Sequence, residues 1–567
     1  MEASVEAGPL SFVAIGRSPS ASPAPGRPCF ALPRAPRQGR SRPAGARNCL
    51  VVVWPAYCRG RGRAIAAQPP GPVKQRGPCR GGAGPFKVGR RQAGHGVEVG
   101  HRAGEGRAVD GTARAGEGGG PTGAQAAYLE RRARLVEALR RQRGPVRLAK
   151  DTSNLFRDRK ETGDRPLDVR DFRHVLRVDP EARLIEVEGM TPYQDAVRAA
   201  LARGLMPAVV PQLRSITVGG ATTGVGIEAS SFRYGLVHET VRELEVLTGS
   251  GEVVVARPDN EHRDLYYGFP NSYGTLGYAL RLVVQGVPVR PYVRIEHHRH
   301  SDPERYFEAL AAACAREDVD FVDGTVFSPQ EMYLTLGHFV DQAPYTSDYS
   351  FERIYYRSIR EREEDYLTVE DFIWRWDTDW FWCSKNVFAQ HWLVRRLLGR
   401  ERLNSITYTK IMRWNARLGL TRRIERLLGL HSESVIQDVD IPVDRAVAFF
   451  RFYFDTIRFT PVWICPVRPY DPQTRFPLYP MEDRLYVNFG FWDVIRTREA
   501  HPPGHFNRLV ERKVQELGGI KSLYSDSYFE PEEFWAIYGG ETYRRLKERY
   551  DPQGVLKDLY RKCVLRE

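Results

Sequence analysis

Val218-Gly219-Gly220-Ala221-Thr222-Thr223-Gly224-Val225-Gly226-Ile227-Glu228 decides the reading of this 567-residue chain. It sets four glycines and two threonines between a short β-branched run, Ser215-Ile216-Thr217-Val218, and the polar stretch Ala229-Ser230-Ser231-Phe232-Arg233. Without a Cβ, glycine lets a ligand approach the backbone. Consecutive N–H groups can then face one concavity that suits an anion, and threonine hydroxyls add donors. A turn needs one or two glycines; four ask for a phosphate. Gly224-Val-Gly226-Ile-Glu-Ala229 fits a dinucleotide fingerprint in its letters. Its context does not fit, because residues 230–235 read as loop and not as the helix of a compact βαβ unit. Glu243 and Glu245 lie near the acidic offset of that motif, as a Glu-rich surface supplies by chance. No Gly-Lys-Ser/Thr follows, which excludes a Walker loop.

A second glycine stretch lies about forty residues on: Asp264-Leu-Tyr-Tyr-Gly268-Phe-Pro270-Asn271-Ser272-Tyr273-Gly274-Thr275-Leu276-Gly277-Tyr278. Between the two, Val246-Leu-Thr-Gly249-Ser-Gly251-Glu-Val-Val-Val255 predicts a hairpin, two β-rich runs around a glycine turn. Two glycine loops joined by a hairpin resemble the PCMH-type FAD-binding domain of the vanillyl-alcohol-oxidase flavoproteins. The resemblance implies an α+β fold, a two-part FAD-binding domain with a cap or substrate domain built on an antiparallel sheet. It implies that FAD pyrophosphate sits on Thr217, Val218, Gly219, Gly220, Ala221, Thr222, Thr223, Gly224, Gly226, Glu228 and Ser231. Ser272, Gly274, Thr275 and Gly277 would lie along the cofactor. The family's first phosphate-contacting loop falls here on Lys150 to Arg157, which adds Thr152, Ser153 and Asn154. Many relatives bond the flavin covalently through a histidine in that loop; none stands there, so the FAD is expected to be noncovalent.

The net charge of +14 is unevenly placed. Residues 1–125 hold 19 Lys+Arg and 6 Asp+Glu, or +13, which leaves +1 for residues 126–567. The basic balance therefore says nothing of the enzyme's substrate, and a nucleic-acid partner is disfavoured. Residues 1–125 also carry 24 of the 51 glycines and few apolar clusters, too little to offset chain entropy. The expectation is disorder, and a segment that is upstream GC-rich DNA read as protein. Cys29, Cys49, Cys58 and Cys79 in it fit no zinc spacing, and Cys314, Cys383, Cys465 and Cys563 are scattered. They predict reduced thiols of a cytosolic protein and no metal site. No run of about 18 apolar residues predicts a membrane span.

Ordered chain is expected from Tyr128, with Leu129, Val136 and Leu139 on the buried face of a helix stopping at Gly144-Pro145. Short strands follow at 146–148, 167–169, 175–178 and 184–188, and Thr191 is expected to cap the helix that Pro192-Tyr193 begins. The expected domains are 128–291 for FAD, 292–515 for the cap, and 516–567 returning to the FAD domain. His297-His298-Arg-His300 is a poor metal site, since adjacent histidines on a strand face opposite sides.

Further motifs narrow the resemblance. Gly226-Ile-Glu228-Ala-Ser-Ser231-Phe-Arg-Tyr-Gly235, Val435-Ile-Gln437-Asp438, Pro461-Val-Trp463-Ile-Cys465-Pro466 and Glu532-Glu533-Phe-Trp535 look like the Δ24-sterol reductase branch over residues 145–563. Phe372-Ile-Trp374-Arg-Trp376-Asp377-Thr-Asp379-Trp380-Phe-Trp382-Cys383, with Pro270-Asn271-Ser272-Tyr273, resembles the actinobacterial members. Those reduce the 10-methylene group of phospholipid-bound fatty acids to 10-methyl, as in tuberculostearic acid synthesis. Both branches use FAD and NADPH to saturate an isolated C=C bond; an FAD-dependent alcohol oxidase or dehydrogenase on the same fold is the alternative. An isolated alkene has no carbonyl to take electrons. It is protonated first, giving a tertiary cation, and then accepts hydride. Such a site needs a carboxylic acid kept protonated by an apolar setting and aromatic faces for the cation. Asp377 and Asp379 are the expected acids, and Trp374, Trp376, Trp380 and Trp382 the expected substrate groove. Asp438 and Asp440 share one face of a strand and compete between a solvated pair and a place in the active site. The same tryptophans with Trp392, Arg395, Arg396 and Arg400 predict peripheral contact with anionic lipid on the cytoplasmic face of the membrane.

Overall fold

Alternation of apolar and polar side chains builds two antiparallel sheets. The structure is a computed structural model that describes residues 123–142, 144–151, 156, 163–418, 425 and 427–567, all within one compact unit, Thr112–Glu567. The first sheet has the order Val175–Asp179, Leu184–Glu188, Tyr278–Pro288, Val241–Leu247, Val253–Ala256, with Leu205–Pro207 also pairing to Tyr278–Pro288. Tyr278, Leu280, Leu282 and Val284 alternate inward along its longest strand. The predicted hairpin is Val241–Leu247 with Val253–Ala256, and Gly251 takes the positive φ of its turn, 80°.

The second sheet has eight strands, in the order Glu364–Thr368, Tyr292–His300, Glu331–Val340, Phe321–Ser328, Val462–Val467, Tyr486–Thr497, His431–Pro442, Ile520–Lys521. One face is covered by the helices Pro303–Cys314, Ala446–Thr456 and His505–Glu516, which bury Phe307, Phe449, Val510 and their neighbours. The other face meets the first sheet across the largest apolar cluster. The fold is α+β, as the sequence predicts.

Local readings shift in four places. The glycine segment is not a loop: Val218–Thr223 is a short helix, whose N-cap Thr217 accepts from the Gly220 N–H at 3.2 Å. Residues 231–234 likewise form a helical turn. Thr191 caps nothing; Pro192 is the N-cap and the Thr191 hydroxyl donates to the His174 carbonyl at 3.0 Å. In the helix Gly123–Arg140 the buried stripe is Tyr128, Leu135 and Leu139, while Leu129 is exposed. Tyr128 sets that register: its hydroxyl donates to buried Glu245 at 2.7 Å. Glu245 also takes Arg281 at 2.9 Å, which accounts for this acidic residue without a ribose.

After the edge strand Ile520–Lys521 the chain comes back to the first sheet. Lys547 Nζ donates to the Thr275 carbonyl at 2.8 Å, Lys562 Nζ to the Tyr273 carbonyl at 2.7 Å, and the Val146 N–H to the Val555 carbonyl at 3.0 Å. The C-terminal segment thereby holds the second glycine stretch from outside.

Candidate active site

The two sheets enclose a cavity of about 780 Å³. One wall is the first glycine segment, through Thr217, Gly219, Gly220, Ala221, Thr223, Gly224 and Gly226. The second contributes Tyr273, Gly274 and Gly277. The two segments touch, the Tyr273 N–H donating to the Thr223 carbonyl at 3.3 Å. Space makes glycine obligatory here. A Cβ on Gly219 would fall 2.6 Å from the Gly189 carbonyl oxygen, and one on Gly224 2.9 Å from the Gly220 oxygen. Gly277 has a φ of 152° and would press a Cβ to 2.5 Å from Val246.

The other cofactor candidates stand behind this wall. Val218 is core, and the buried Thr222 hydroxyl donates back to the Val218 carbonyl at 2.9 Å. Buried Ser272 and Thr275 are not among the residues that line the cavity, and the Thr275 hydroxyl donates to the Ser272 carbonyl at 2.7 Å. Glu228 does not line the cavity. Its carboxylate meets Arg375 Nη2 at 3.2 Å, and the same nitrogen lies 2.8 Å from Asp323, all three buried between the sheets. Burial pushes the Glu228 carboxyl up to about 7, opposed by the Arg375 charge. Ser231 serves the same turn, its Oγ accepting from the Glu228 N–H at 3.1 Å. Thr152, Ser153 and Asn154 lie outside the described residues.

The opposite wall is the bare face of the eight-stranded sheet. Along His431–Pro442, Val435, Val439 and Ile441 enter the helix-covered core, so Ser434, Ile436, Asp438 and Asp440 face the cavity. Their cross-strand partners are Val494, Trp492, Gly490 and Asn488, and Trp463 pairs with Gly490 from the other side. Gly490 leaves the room that Asp438 and Trp492 fill: a Cβ there would fall 2.7 Å from Asp438 Oδ1 and 2.7 Å from the Trp492 ring.

The two aspartates differ in their partners. Asp440 accepts from the Tyr479 hydroxyl at 2.7 Å and the Asn488 amide at 2.8 Å, yet burial still raises its carboxyl to about 6. Among the described residues, Asp438 Oδ1 has no hydrogen-bond partner. Burial, helped by the neighbouring Asp440 charge and opposed by a hydrogen bond from Tyr524, lifts Asp438 to about 7. Tyr524 is itself held by the Trp492 indole N–H at 2.7 Å. The exposure Asp438 retains is to the cavity.

Asp377 and Asp379 do not reach this cavity, which corrects their assignment as its acids. Asp377 accepts from the Ser405 hydroxyl at 2.6 Å and the Arg214 N–H at 3.0 Å. Asp379 pairs with buried Arg395 at 2.5 Å and accepts from Ser384 at 3.3 Å. Burial raises both carboxyls against those donors. Between and beyond them the backbone is strained. Trp380, Phe381 and Trp382 take φ of 46°, 51° and 62°, three successive non-glycine residues in the left-handed region, at roughly 1–3 kcal/mol each. The buried ion pairs pin this turn, and the turn delivers Trp380 and Phe381 to the cavity. Trp374, Trp376 and Trp382 are core: Arg214 sits 5.1 Å over Trp374, and Trp376 stacks on Phe381 at 5.0 Å. Of the expected groove only Trp380 lines the cavity; Phe381, Trp463 and Trp492 line it too, with Phe156, which stacks on Trp380 at 5.7 Å. Trp492 and Gly490 were invisible to motif reading; the period-2 face they share with Asp438 was the available signal.

A dinucleotide fits this cavity. Its volume lies in the range of small-molecule sites, glycines wall one side, and the buried amide of Gln212, a lining residue, has an Nε2 donor with no partner among the described residues. Comparison with known proteins points the same way. Residues 125–257 match the FAD binding domain family. The chain is 27% identical over 406 residues to the Delta(24)-sterol reductase of Homo sapiens, covering 68% of this chain and 75% of the relative. With the Delta(24)-sterol reductase of Arabidopsis thaliana it shares 24% over 434 residues, 70% of this chain and 76% of the relative. Cytokinin dehydrogenase 6 of Oryza sativa subsp. japonica is 29% identical over 399 residues, 66% of this chain and 72% of the relative. The domain match and these relatives support a flavoprotein with a PCMH-type FAD-binding domain. Among flavoproteins of that type, they support the sterol-reductase-like branch.

Proposed function

We propose that the protein is an FAD-dependent reductase of a carbon–carbon double bond, and that its substrate is a lipid. The observation that carries this reading is Asp438, a carboxyl that burial raises to about 7, set among Trp463, Trp492 and Tyr524 on the floor of a glycine-walled cavity. Two expected cofactors enter: FAD, held by Thr217, Gly219, Gly220, Ala221, Thr223, Gly224, Gly226, Gly274, Gly277 and Gln212, and NADPH as the electron source. Reduced FAD, when bound, supplies hydride. What the chain adds is the proton and its setting. Asp438 near neutral pH is protonated in a substantial fraction and stands ready to protonate an alkene carbon. The faces of Trp463 and Trp492 favour positive charge at the branched carbon left behind. Asp440, satisfied by Tyr479 and Asn488, stays the better anion of the two and keeps the Asp438 proton in place. Phe156, Trp380 and Phe381 exclude water that would otherwise trap the cation.

The finer assignment is to 10-methylene fatty acyl chains of phospholipids, reduced to 10-methyl. It rests on the resemblance of residues 372–383 and 270–273 to the actinobacterial enzymes. The Δ24-sterol substrate is the second reading, favoured by the similarity to Delta(24)-sterol reductases. Offering both substrates with NADPH and following saturation by mass spectrometry separates the two. The relative named a dehydrogenase favours a third reading, an FAD-dependent dehydrogenase or oxidase on the same fold. Substrate-dependent peroxide with no saturated lipid would decide for that one.

A further inference from the structure

The described residues expose fourteen large apolar side chains, and ten of them lie between Phe388 and Leu428. Trp392 is 69%, Leu397 74% and Trp414 61% exposed. They sit on two neighbouring helices, Trp392–Leu398 and Ser405–Leu418. On the second helix the usual amphipathic order is reversed. Ser405 and Tyr408 turn inward, the Tyr408 hydroxyl donating to the Thr378 carbonyl at 2.8 Å. Ile406, Ile411, Met412 and Trp414 turn out. A soluble surface rarely carries apolar side chains this densely without a partner.

Charge says what the partner is. Residues 388–415 hold six Lys+Arg and one Asp+Glu, against +1 for the whole of residues 126–567. Arg395 is spent on Asp379 and Arg400 on Asp348, but Arg396, Arg402 and Lys410 are exposed among the apolar side chains. Large apolar and indole side chains ringed by cations match the boundary of an anionic bilayer, where Trp prefers the headgroup level. The patch is also continuous with the cavity, because Met412 is both exposed and part of the cavity lining, and Asn386 lines it two residues before Phe388.

We propose that this face docks on an anionic phospholipid bilayer and sets the mouth of the cavity, at Met412, against the lipid. The surface differs from the one the sequence suggests: Trp374, Trp376, Trp380 and Trp382 are buried, and only Trp392 of that set faces outward. No helix among the described residues is long and apolar enough to cross a membrane, and the docking proposed for this face is peripheral. The use of the mouth rests on the lipid-substrate reading; the docking itself does not.

The test is flotation of the full-length, FAD-loaded protein with vesicles of phosphatidylcholine alone or mixed with phosphatidylglycerol, without turnover. Wild type is expected to float with the mixed vesicles and scarcely with neutral ones. Replacing Arg396, Arg402 and Lys410 by Gln should weaken binding on the order of 100-fold, at about 1 kcal/mol per basic residue. A Trp392→Ser, Leu397→Ser, Trp414→Ser variant should stay in the pellet with unchanged flavin absorbance and melting temperature. Wild type that ignores anionic vesicles, or an apolar triple variant that binds them as well as wild type, overturns the proposal. So does wild type that is a dimer by analytical ultracentrifugation and a monomer in the apolar variant, which would make the face an interface between copies. Vesicle binding by a protein that reduces neither candidate lipid would uphold docking and sink the reductase reading alone.

Discussion

Asp438 and Gly490 face each other across two strands, and the chemistry proposed here depends on both. Asp438→Asn keeps the shape and removes the transferable proton, so kcat should fall about 10²–10⁴-fold with FAD content unchanged. The rate should be level on the acid side of pH 7 and fall above it, since the acid form is needed and the carboxyl titrates at about 7. The stability consequence has the same sign. The folded value is raised above that of an exposed carboxyl, so the native state holds the proton more tightly. That contribution is full below about pH 4 and is lost as pH rises through about 7. In the Asn variant the decline in melting temperature over that window should flatten. An unchanged kcat profile in Asp438→Asn would remove it from the chemistry. On the facing wall, Gly224→Val should empty the flavin site. The reason is space and not backbone conformation: Gly224 has a φ of −115°, but its Cβ would meet the Gly220 carbonyl and the Tyr273 ring. Full flavin absorbance in that variant would refute the assignment of the wall.

At the scale of elements, the turn Trp380–Trp382 shows why part of the site could not be read from sequence. Two aspartates among four tryptophans carry the residue types of an acid and a cation-stabilising groove. Nothing local to residues 372–383 reveals that Arg214 lies beside Asp377, or that Arg395 closes on Asp379. Tertiary partners turned candidate acids into pins. The positioning role predicts its own signature. Arg395→Ala strands a buried charge and should cost roughly 3–5 kcal/mol of stability. Asp379→Asn should lower activity modestly while keeping the fall in kcat above pH 7; loss of that inflection would return Asp379 to the chemistry. The sheets, by contrast, were legible, because the hairpin at 246–255 and the strands at 175–188 carry their period in the letters. The first glycine segment was legible as a ligand wall but not as the helix Val218–Thr223, since its threonines cap and back-bond in ways only the packed chain fixes.

For the whole molecule, the cavity exists because two sheets are held face to face by groups distant in sequence. Arg375 bridges Glu228 of the glycine segment to Asp323 of the eight-stranded sheet, and the C-terminal lysines Lys547 and Lys562 bind the second glycine stretch. Each wall alone is a fragment of a site; the proposed reduction needs the dinucleotide on one wall and the proton donor on the other. The expected absence of a covalent flavin bond predicts that acid or heat releases yellow FAD into the supernatant; colour retained by the precipitated polypeptide would contradict it. The most direct measurement of the central claim is anaerobic. The FAD-loaded protein is reduced with NADPH, and 10-methylene phospholipid or a Δ24 sterol is then added while the flavin absorbance is followed. The prediction is bleaching by NADPH, return of the oxidised spectrum on adding one of the two alkenes, and one saturated lipid formed per flavin reoxidised. A reduced flavin that neither alkene reoxidises would contradict it.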